Sequence, residues 1–445
     1  MFNEGLLDKT LRRIKKLIPK SVFDFFAPIY HTALAWGGAV IYGFPSRSMK
    51  VIGVTGTKGK STTVFLISKL LEGTGEPVAA IGSLGFKIKD KEWPNNLKMT
   101  MPGRFKLQKF LAQARKAGCK YVVLEVTSEG IKQKRHLGIK FDCAVFTNLH
   151  KEHLESHGTF ENYYKAKQEL FKGTENIHVL NGDDPHMKLF SDFHAKHKIF
   201  YGIGTGDMRA ENVQLGEGES SFEVYGAKFN IHFGGKFNVY NCLAALAVGA
   251  MYGIDLPKAE PIMEKVSNIR GRMEYVQKNP FAVVVDYAHT PESLIQVYQT
   301  LKSEILNPKS ETNSKFKIQN SKRKLICVLG AAGGGRDKWK RPEFGKIASL
   351  YCDQIILTDE DPYDENPEEI LEQISSGFSK TQNSKLKTQK ILDRRDAIKT
   401  AISMAEQGDV VVITGKGSET SMAVAGGKKI PWSDRDIVAE LTDMG

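Results

Sequence analysis

The sequence predicts an α/β chain in which a unit built on a mostly parallel, doubly wound sheet is followed by a second, Rossmann-like α/β unit. Three observations predict it. An apolar run from Met49 to Val54 meets the Gly-rich turn Thr55–Gly59, which opens a helix over Thr62–Glu72. Tyr121–Val126 and Phe141–Thr147 are short apolar runs bounded by turn residues, and they alternate with the helical periodicity of Arg104–Ala117. Such runs read as strands buried on both faces, and strands alternating with helices as crossover units. The same alternation restarts after Arg270-Gly271-Arg272.

A chain of 445 residues exceeds one core, so several domains are expected. The reading sets a short helical segment at 1–48, a central P-loop domain at 49–270 and a C-terminal domain at 271–445. Val78–Ile81 is a strand, followed by a polar loop through Asn95. His178–Leu180 is another strand, and Ala210–Phe233 alternates like antiparallel strands. Asn238–Met251 is an alanine-rich helix. In the last domain, strands are expected at Ala282–Val285, Leu325–Leu329, Gln354–Leu357 and Val410–Ile413. The helices there are Glu292–Ile305, Phe344–Tyr351, Glu368–Phe378 and Arg395–Ala405.

The net charge of +12 favours anionic partners. The basic runs Lys309–Lys324 and Lys380–Lys390 are rich in Ser, Asn and Gln and read as solvated loops, which argues against nucleic acid. The five cysteines are scattered without a C-x-x-C pair, so neither a metal cluster nor a disulfide framework is expected, and a reducing cytoplasm fits. Val22–Phe44 is apolar, yet Asp24, Pro28, His31 and a Gly-Gly pair interrupt it, against a membrane span. The basic amphipathic stretch before it, residues 6–18, suits peripheral contact with an anionic bilayer.

The turn at 55–59 carries the clearest chemistry. Backbone N–H groups there, with the positive end of the following helix, suit phosphate. Lys60 would reach the terminal phosphates of ATP, and the Ser61 or Thr62 hydroxyl would sit on Mg²⁺. The pattern departs from G-x-x-x-x-G-K-[ST] because Val54 stands where the first Gly is usual. Glu125 ends its strand facing the crevice, as a Mg²⁺ ligand would, although such an acid can also cap a helix. His153 lies in a histidine-rich loop whose spacing does not make a zinc site. Lys167 is indistinguishable from Lys165 on physical grounds. Asp286 after a strand can hold ribose hydroxyls, and the loop Gly333–Lys338 places Arg336 where it could touch phosphate. Gly415–Glu419 repeats that strand–glycine geometry.

Together these residues resemble the Mur ligase family, and within it the MurE type, UDP-N-acetylmuramyl-tripeptide synthetases. The resemblance rests on TGTKGKSTT at 55–63, LEVTSEG at 124–130 and TNLHKEHLESHGTFENYYKAKQELF at 147–171. It continues through FNVYNCLAA at 237–245, GRMEYV at 271–276, DYAHTP at 286–291, GAAGGGRDKWKRP at 330–342 and GKGSE at 415–419. It implies an ATP-dependent ligase joining an amino acid to a muramyl-peptide carboxylate through an acyl phosphate. Small-molecule substrates are therefore the expected partners. Thr55, Gly56, Thr57, Lys58, Gly59, Lys60, Ser61 and Thr62 would hold the nucleotide, with Asn241 on adenine, Arg272 on phosphate, and Asp286 and His289 on the nucleoside. Lys60, Glu125, His153 and Lys167 would be catalytic. Ser61, Glu125, His153 and a carbamylated Lys167 would hold Mg²⁺. Thr100, Thr127, Ser128, Arg135, Arg336, Asp359, Asp361, Pro362, Tyr363, Gly415 and Glu419 would contact substrates.

Three features depart from the family pattern. Only about 48 residues precede the P-loop strand, where MurE-type enzymes carry a uridine-diphosphate-binding domain. Glu129 replaces a usual His, and Thr100-Met101 a Thr-Thr pair. Tyr363 follows Pro362 where diaminopimelate enzymes place an Arg, which disfavours diaminopimelate because Tyr cannot clamp a carboxylate bidentately. A lipid-linked or other non-uridine acceptor, or a non-catalytic nucleotide-binding subunit, are the alternative expectations.

Overall fold

The computed structural model describes residues 20–95, 99–152, 154–306, 323–335, 337–378 and 386–442. The chain forms two compact units: Met1–Arg209 with Asn241–Asp255, and Ala210–Tyr240 with Leu256–Gly445. The basic stretch at 6–18, the run Lys309–Lys322, His153 and Arg336 lie outside the described residues.

The first unit is organised by a nine-stranded sheet. Its strands are β1 (Lys50–Thr55), β2 (Val78–Gly82), β3 (Gly85–Ile88), β4 (Lys91–Trp93), β5 (Tyr121–Glu125), β6 (Cys143–Phe146), β7 (Ile177–Asn181), β8 (His197–Gly202) and β9 (Met208–Arg209). They lie in the order β4-β3-β2-β5-β1-β6-β7-β8-β9, parallel from β2 to β9, while β3 and β4 turn back antiparallel. Every residue of β2, β5, β6 and β7 is buried, which is why these strands read as unbroken apolar runs. The hairpin β3–β4 replaces the polar loop expected there. Its alternation is short and half-exposed, so it carried no apolar run to find.

Helices cover this sheet. They include α2 (Lys60–Gly73), α3 (Arg104–Lys116), α4 (Ser128–Lys132), α5 (Phe160–Lys172) and α6 (Lys236–Met251), while α1 (Lys20–Ile41) packs on α3. Thr159 caps α5 by accepting from the Asn162 N–H, and Thr127 caps α4 by accepting from Gly130. Helix α3 lays Leu107, Phe110, Leu111 and Ala114 on the sheet, a 3–4 spacing that leaves its cations outside.

In the second unit an antiparallel meander, β10 (Glu211–Gly216), β11 (Glu219–Val224) and β12 (Ala227–Ile231), matches the alternation at 210–233. A six-stranded sheet follows, with β13 (Glu274–Gln277), β14 (Ala282–Asp286), β15 (Leu325–Leu329), β16 (Gln354–Leu357), β17 (Lys387–Lys390) and β18 (Val410–Thr414). The order is β13-β14-β18-β15-β16-β17, parallel except at β13. Alternate residues feed two cores: Val284, Cys327 and Val412 face one side, Val285, Ile326 and Ile413 the other. Helices α7 (Pro291–Leu306), α8 (Lys340–Tyr351) and α9 (Pro367–Ser375) close the first core; α10 (Arg394–Ser403) and α11 (Asp434–Thr442) close the second. A terminal hairpin, β19 (Ser421–Val424) and β20 (Lys428–Pro431), completes the unit.

Two expectations are corrected. Lys387–Lys390 is not a solvated loop but β17, a fully exposed edge strand held by its ladder to β16; backbone pairing supports it, so no apolar pattern marks it. Cys327 and Cys352 form a disulfide, although their spacing gave no pairing signal. The parallel ladder between β15 and β16 brings together residues 25 apart in sequence. Cys119, Cys143 and Cys242 are free and buried. Among the described residues no helix is long and apolar enough to cross a membrane.

Candidate active site

The candidate side chains gather at the carboxyl ends of the strands in each unit, as open α/β sheets dictate. In the first unit the parallel register pairs Val54 with Glu125 and Thr55 with Phe146. Glu125 therefore emerges beside the turn that leaves β1. Gly56 and Gly59 hold φ of 150° and 79°. A Cβ on Gly56 would come 1.9 Å from Thr147 Oγ1, and one on Gly59 2.3 Å from Asn241 Oδ1 of the helix Lys236–Met251, so glycine lets these neighbours close around the loop. The loop is tied down by Asn148, whose carbonyl accepts from Thr57 N and whose Oδ1 accepts from Lys58 N.

Around this loop stand the expected groups. Lys60 Nζ donates to the carbonyls of Gly56 and Thr57, at 3.1 and 2.8 Å. Ser61 Oγ donates to Glu125 Oε2 at 2.9 Å, and Ser83 N donates to the same oxygen at 2.9 Å. Thr100 Oγ1 lies 3.1 Å from Ser83 Oγ, which in turn donates to Glu125 Oε2 at 3.3 Å, so the hydroxyl pair borders that carboxylate. Lys167 is buried, donates to Gly56 O at 2.7 Å and lies over the Tyr163 ring. Burial, and after it the nearby Lys60 ammonium, hold the Lys167 amine well below the usual lysine range. Asn241, from α6, accepts from Thr63 Oγ1 at 3.2 Å. Thr62 is buried in the first turn of α2.

The residues assigned to the acceptor lie beyond Glu125. Thr127 caps α4, Ser128 opens it and is buried, and Arg135 is buried with Nη2 on Gln133 Oε1 at 2.7 Å. Burial lowers the Arg135 pKa, and Glu129 opposes that shift.

In the second unit Asp286 uses both oxygens on backbone: Met273 N donates to Oδ2 and Ala288 N to Oδ1, each at 2.7 Å. This carboxylate holds the turn carrying Arg272, whose guanidinium stacks 4.4 Å from the Tyr287 ring centre. His289 meets the same Tyr287 ring at a tilt of 56° and shares a hydrogen bond with its carbonyl through Nδ1. Asp361 accepts from Lys416 Nζ at 2.8 Å and from Ala423 N at 2.7 Å, while Lys416 also pairs with Glu419 at 2.5 Å. Tyr363, in the left-handed region at φ 53°, donates its N–H to Ala423 O, and Asp359 accepts from Glu360 N. Pro362 accepts from Glu365 N. Gly415 has φ 109°, and a Cβ there would meet Glu360 Oε2 at 2.3 Å. Burial pushes Glu360 up to about 7 against the pull of Arg394 and Lys416.

Sequence reasoning missed several participants. Glu152 is buried against Lys58 at 3.0 Å, Tyr163 OH shares a hydrogen bond with Thr57 Oγ1, and Lys416 bridges two acids assigned to substrate. Lys416 stood inside the quoted GKGSE motif; Ser83, after β2, had no signal beyond following a strand.

The donor set fits a hard divalent cation: a serine hydroxyl and a buried carboxylate share one point at the foot of a phosphate loop. Among the described residues no group of three or more His, Cys, Asp or Glu is gathered for a metal, so any such ion would draw on hydroxyl and phosphate oxygens as well.

Comparison with known proteins places this geometry. The Mur ligase middle domain matches residues 54–249, and the Mur ligase glutamate ligase domain matches residues 271–417. The chain is 36% identical over 441 residues to the UDP-N-acetylmuramyl-tripeptide synthetase of Roseiflexus sp. (strain RS-1), covering 93% of this chain and 83% of that one. It is 36% identical over 418 residues to UDP-N-acetylmuramoyl-L-alanyl-D-glutamate--2,6-diaminopimelate ligase 1 of Clostridium acetobutylicum, covering 92% and 81%. A solved structure of a UDP-N-acetylmuramoyl-L-alanyl-D-glutamate--2,6-diaminopimelate ligase superposes with a TM-score of 0.60 at 30% identity, covering 89% of this chain and 78% of that one. With its phosphate loop, Ser61–Glu125 pair and two α/β units, the chain belongs to the Mur ligase family, the ATP-dependent amide-bond ligases of peptidoglycan precursor synthesis, and resembles its MurE members.

Proposed function

We propose that this ligase adds an amino acid to the free carboxylate of a UDP-N-acetylmuramyl-peptide, splitting ATP to ADP and phosphate through an acyl phosphate. The observation that carries the reading is the convergence of Lys60, Ser61, Glu125 and Lys167 on the Gly56 turn. A carboxylate oxygen attacks the γ-phosphorus, and ADP leaves. The amine then attacks the acyl carbon, loses a proton and expels phosphate, so one amide forms for each ATP split. Negative charge grows on the transferred oxygens, and the Lys60 ammonium, held at the Gly56 turn, would meet it there. Ser61, Glu125, His153 and Lys167 would hold Mg²⁺, which supplies charge neutralisation at the phosphates.

Lys167 fits this set as a carbamate. Its amine is buried and biased toward the neutral form that adds CO₂, releasing a proton and turning a cation into an anion. In the second unit Arg272, Asp286 and His289 would serve the nucleotide, and Asp359–Tyr363 with Gly415–Glu419 would select the amino acid. Tyr363 beside Pro362 disfavours diaminopimelate, and the acids of this loop suit a cationic side chain such as that of lysine. The deciding experiment is phosphate release with ATP, Mg²⁺, UDP-N-acetylmuramyl-dipeptide and each amino acid in turn. Release requiring both co-substrates, with lysine above diaminopimelate, supports the proposal. Silence with every pair, in protein that binds ATP, rejects the uridine acceptor and leaves a lipid-linked or other non-uridine muramyl carboxylate as the acceptor.

A further inference from the structure

Helix α1 is apolar on two opposite sides. One side carries Ala35 and Ala39, both buried, and Gly38 lies against Phe105 and Gln108 of α3, so this side is the packed one. The opposite side carries Ile29, Ala33, Trp36, Gly37, Val40 and Ile41, which recur at three- and four-residue intervals and form one strip. Ile29 is 67% exposed, Trp36 46%, Val40 62% and Ile41 68%. From Phe26 to Ile41 the helix holds no Asp, Glu, Lys or Arg. Scattered exposed apolar residues need no explanation, but an unbroken strip of this length does.

The neighbouring surface gives the strip its chemistry. Helix α3 carries Arg104, Lys106, Lys109, Arg115 and Lys116 and no acid. Phe105, Lys109 and Lys116 share one exposed stripe of α3, beginning at the seam where Phe105 meets Gly38. At the end of α1, Arg47 stacks 4.2 Å from the Phe44 ring centre, and Trp36 meets the same ring edge-on. The stretch preceding α1 adds Lys9, Arg12, Arg13, Lys15 and Lys16 in sequence. An apolar strip with a Trp, beside a helix whose charged residues are all cations, is the composition of a surface lying in the plane of an anionic bilayer.

We propose that this face of α1 and α3 docks the enzyme on an anionic lipid surface, with the strip in the acyl boundary and the α3 cations on lipid phosphates. A protein partner is less well suited, because the charges that α3 sets beside the strip are all of one sign, with no acid among them. The inference does not depend on which acceptor or amino acid the ligase uses.

The test is co-sedimentation of the full chain with vesicles of equimolar phosphatidylglycerol and phosphatidylcholine, and with phosphatidylcholine alone. Wild type is expected to sediment with the anionic vesicles at low salt and to release as salt rises. The double variant Ile29→Glu, Val40→Glu should partition at least about tenfold less, since each change removes an exposed apolar side chain of the strip and sets a charge against anionic lipid. Lys109→Glu, Lys116→Glu should lose binding to anionic vesicles while keeping the wild-type melting temperature and ATP affinity, which separates docking from folding. No sedimentation of wild type, equal partition of wild type and the apolar variant, or equal binding to neutral vesicles overturns the proposal. So does a wild-type dimer that the Ile29→Glu, Val40→Glu variant converts to monomer, which assigns the face to a second copy.

Discussion

Lys167 is the residue on which the proposed chemistry turns. A buried lysine with an ordinary ammonium would be held beside Lys60 at a large electrostatic cost; as a carbamate it would face that cation favourably. Lys167→Ala is expected to lower turnover by ~10²-fold or more, with ATP affinity changed far less. Acetate added to the variant should restore part of the rate by returning a carboxylate to the space. Full activity in Lys167→Ala would remove the carbamate from the mechanism. Glu360 makes a different prediction at the same scale. Its folded pKa of about 7 lies above the reference 4.5, so between those values the folded state holds a proton that the unfolded state has lost. The contribution of Glu360 to stability is thus greatest below about 4.5 and is lost as pH rises through about 7. Glu360→Gln should raise the urea midpoint at pH above ~8 and leave it nearly unchanged near pH ~4. An equal shift at both values would assign the effect to packing.

At the scale of the element, the phosphate loop is a close-approach device rather than a flexible hinge. Gly56→Ala sets a methyl against Thr147 Oγ1 and the Asn148 backbone. It should cost about 1–3 kcal/mol of stability and abolish ATP binding measured by calorimetry. Gly59→Ala meets only the movable Asn241 side chain, so its folding cost should be smaller while its ATP affinity still falls. A Gly56→Ala protein that binds ATP normally would refute this account of the loop. The strands around the loop were legible because β5, β6 and β7 are buried on both faces and leave unbroken apolar runs. The β3–β4 hairpin and β17 were not, because half-exposed or edge strands are held by ladder bonds that every residue can make.

At the scale of the whole molecule, the order of motifs along the chain carried the family, and composition carried nothing toward it. Lys167 was legible only through that order; alone it read like Lys165, which lies exposed two residues away and pairs with Glu161. Glu152, Ser83 and Lys416 escaped because their parts arise from contacts across 94, 42 and 55 residues, which spacing does not encode. The disulfide between Cys327 and Cys352 escaped for the same reason. The buried pair of Lys416 and Asp361 gives a prediction at this scale, because it joins the ends of two strands. Lys416→Met would leave the Asp361 carboxylate with Ala423 N alone, and should cost about 3–5 kcal/mol, read by urea unfolding. A change under ~1 kcal/mol would show that solvent replaces the ammonium.

The stitching of that acidic loop has a practical corollary for anyone wishing to redirect the ligase to a new amino acid. Asp361 is bonded to Gly333, Lys416 and Ala423, and Tyr363 returns to Ala423. Residues 359–363 are therefore not a cassette. Transplanting them alone would leave the donor at 416 facing the wrong acceptor, whereas moving the segments around 333, 416 and 423 with them would carry the proposed specificity as a unit.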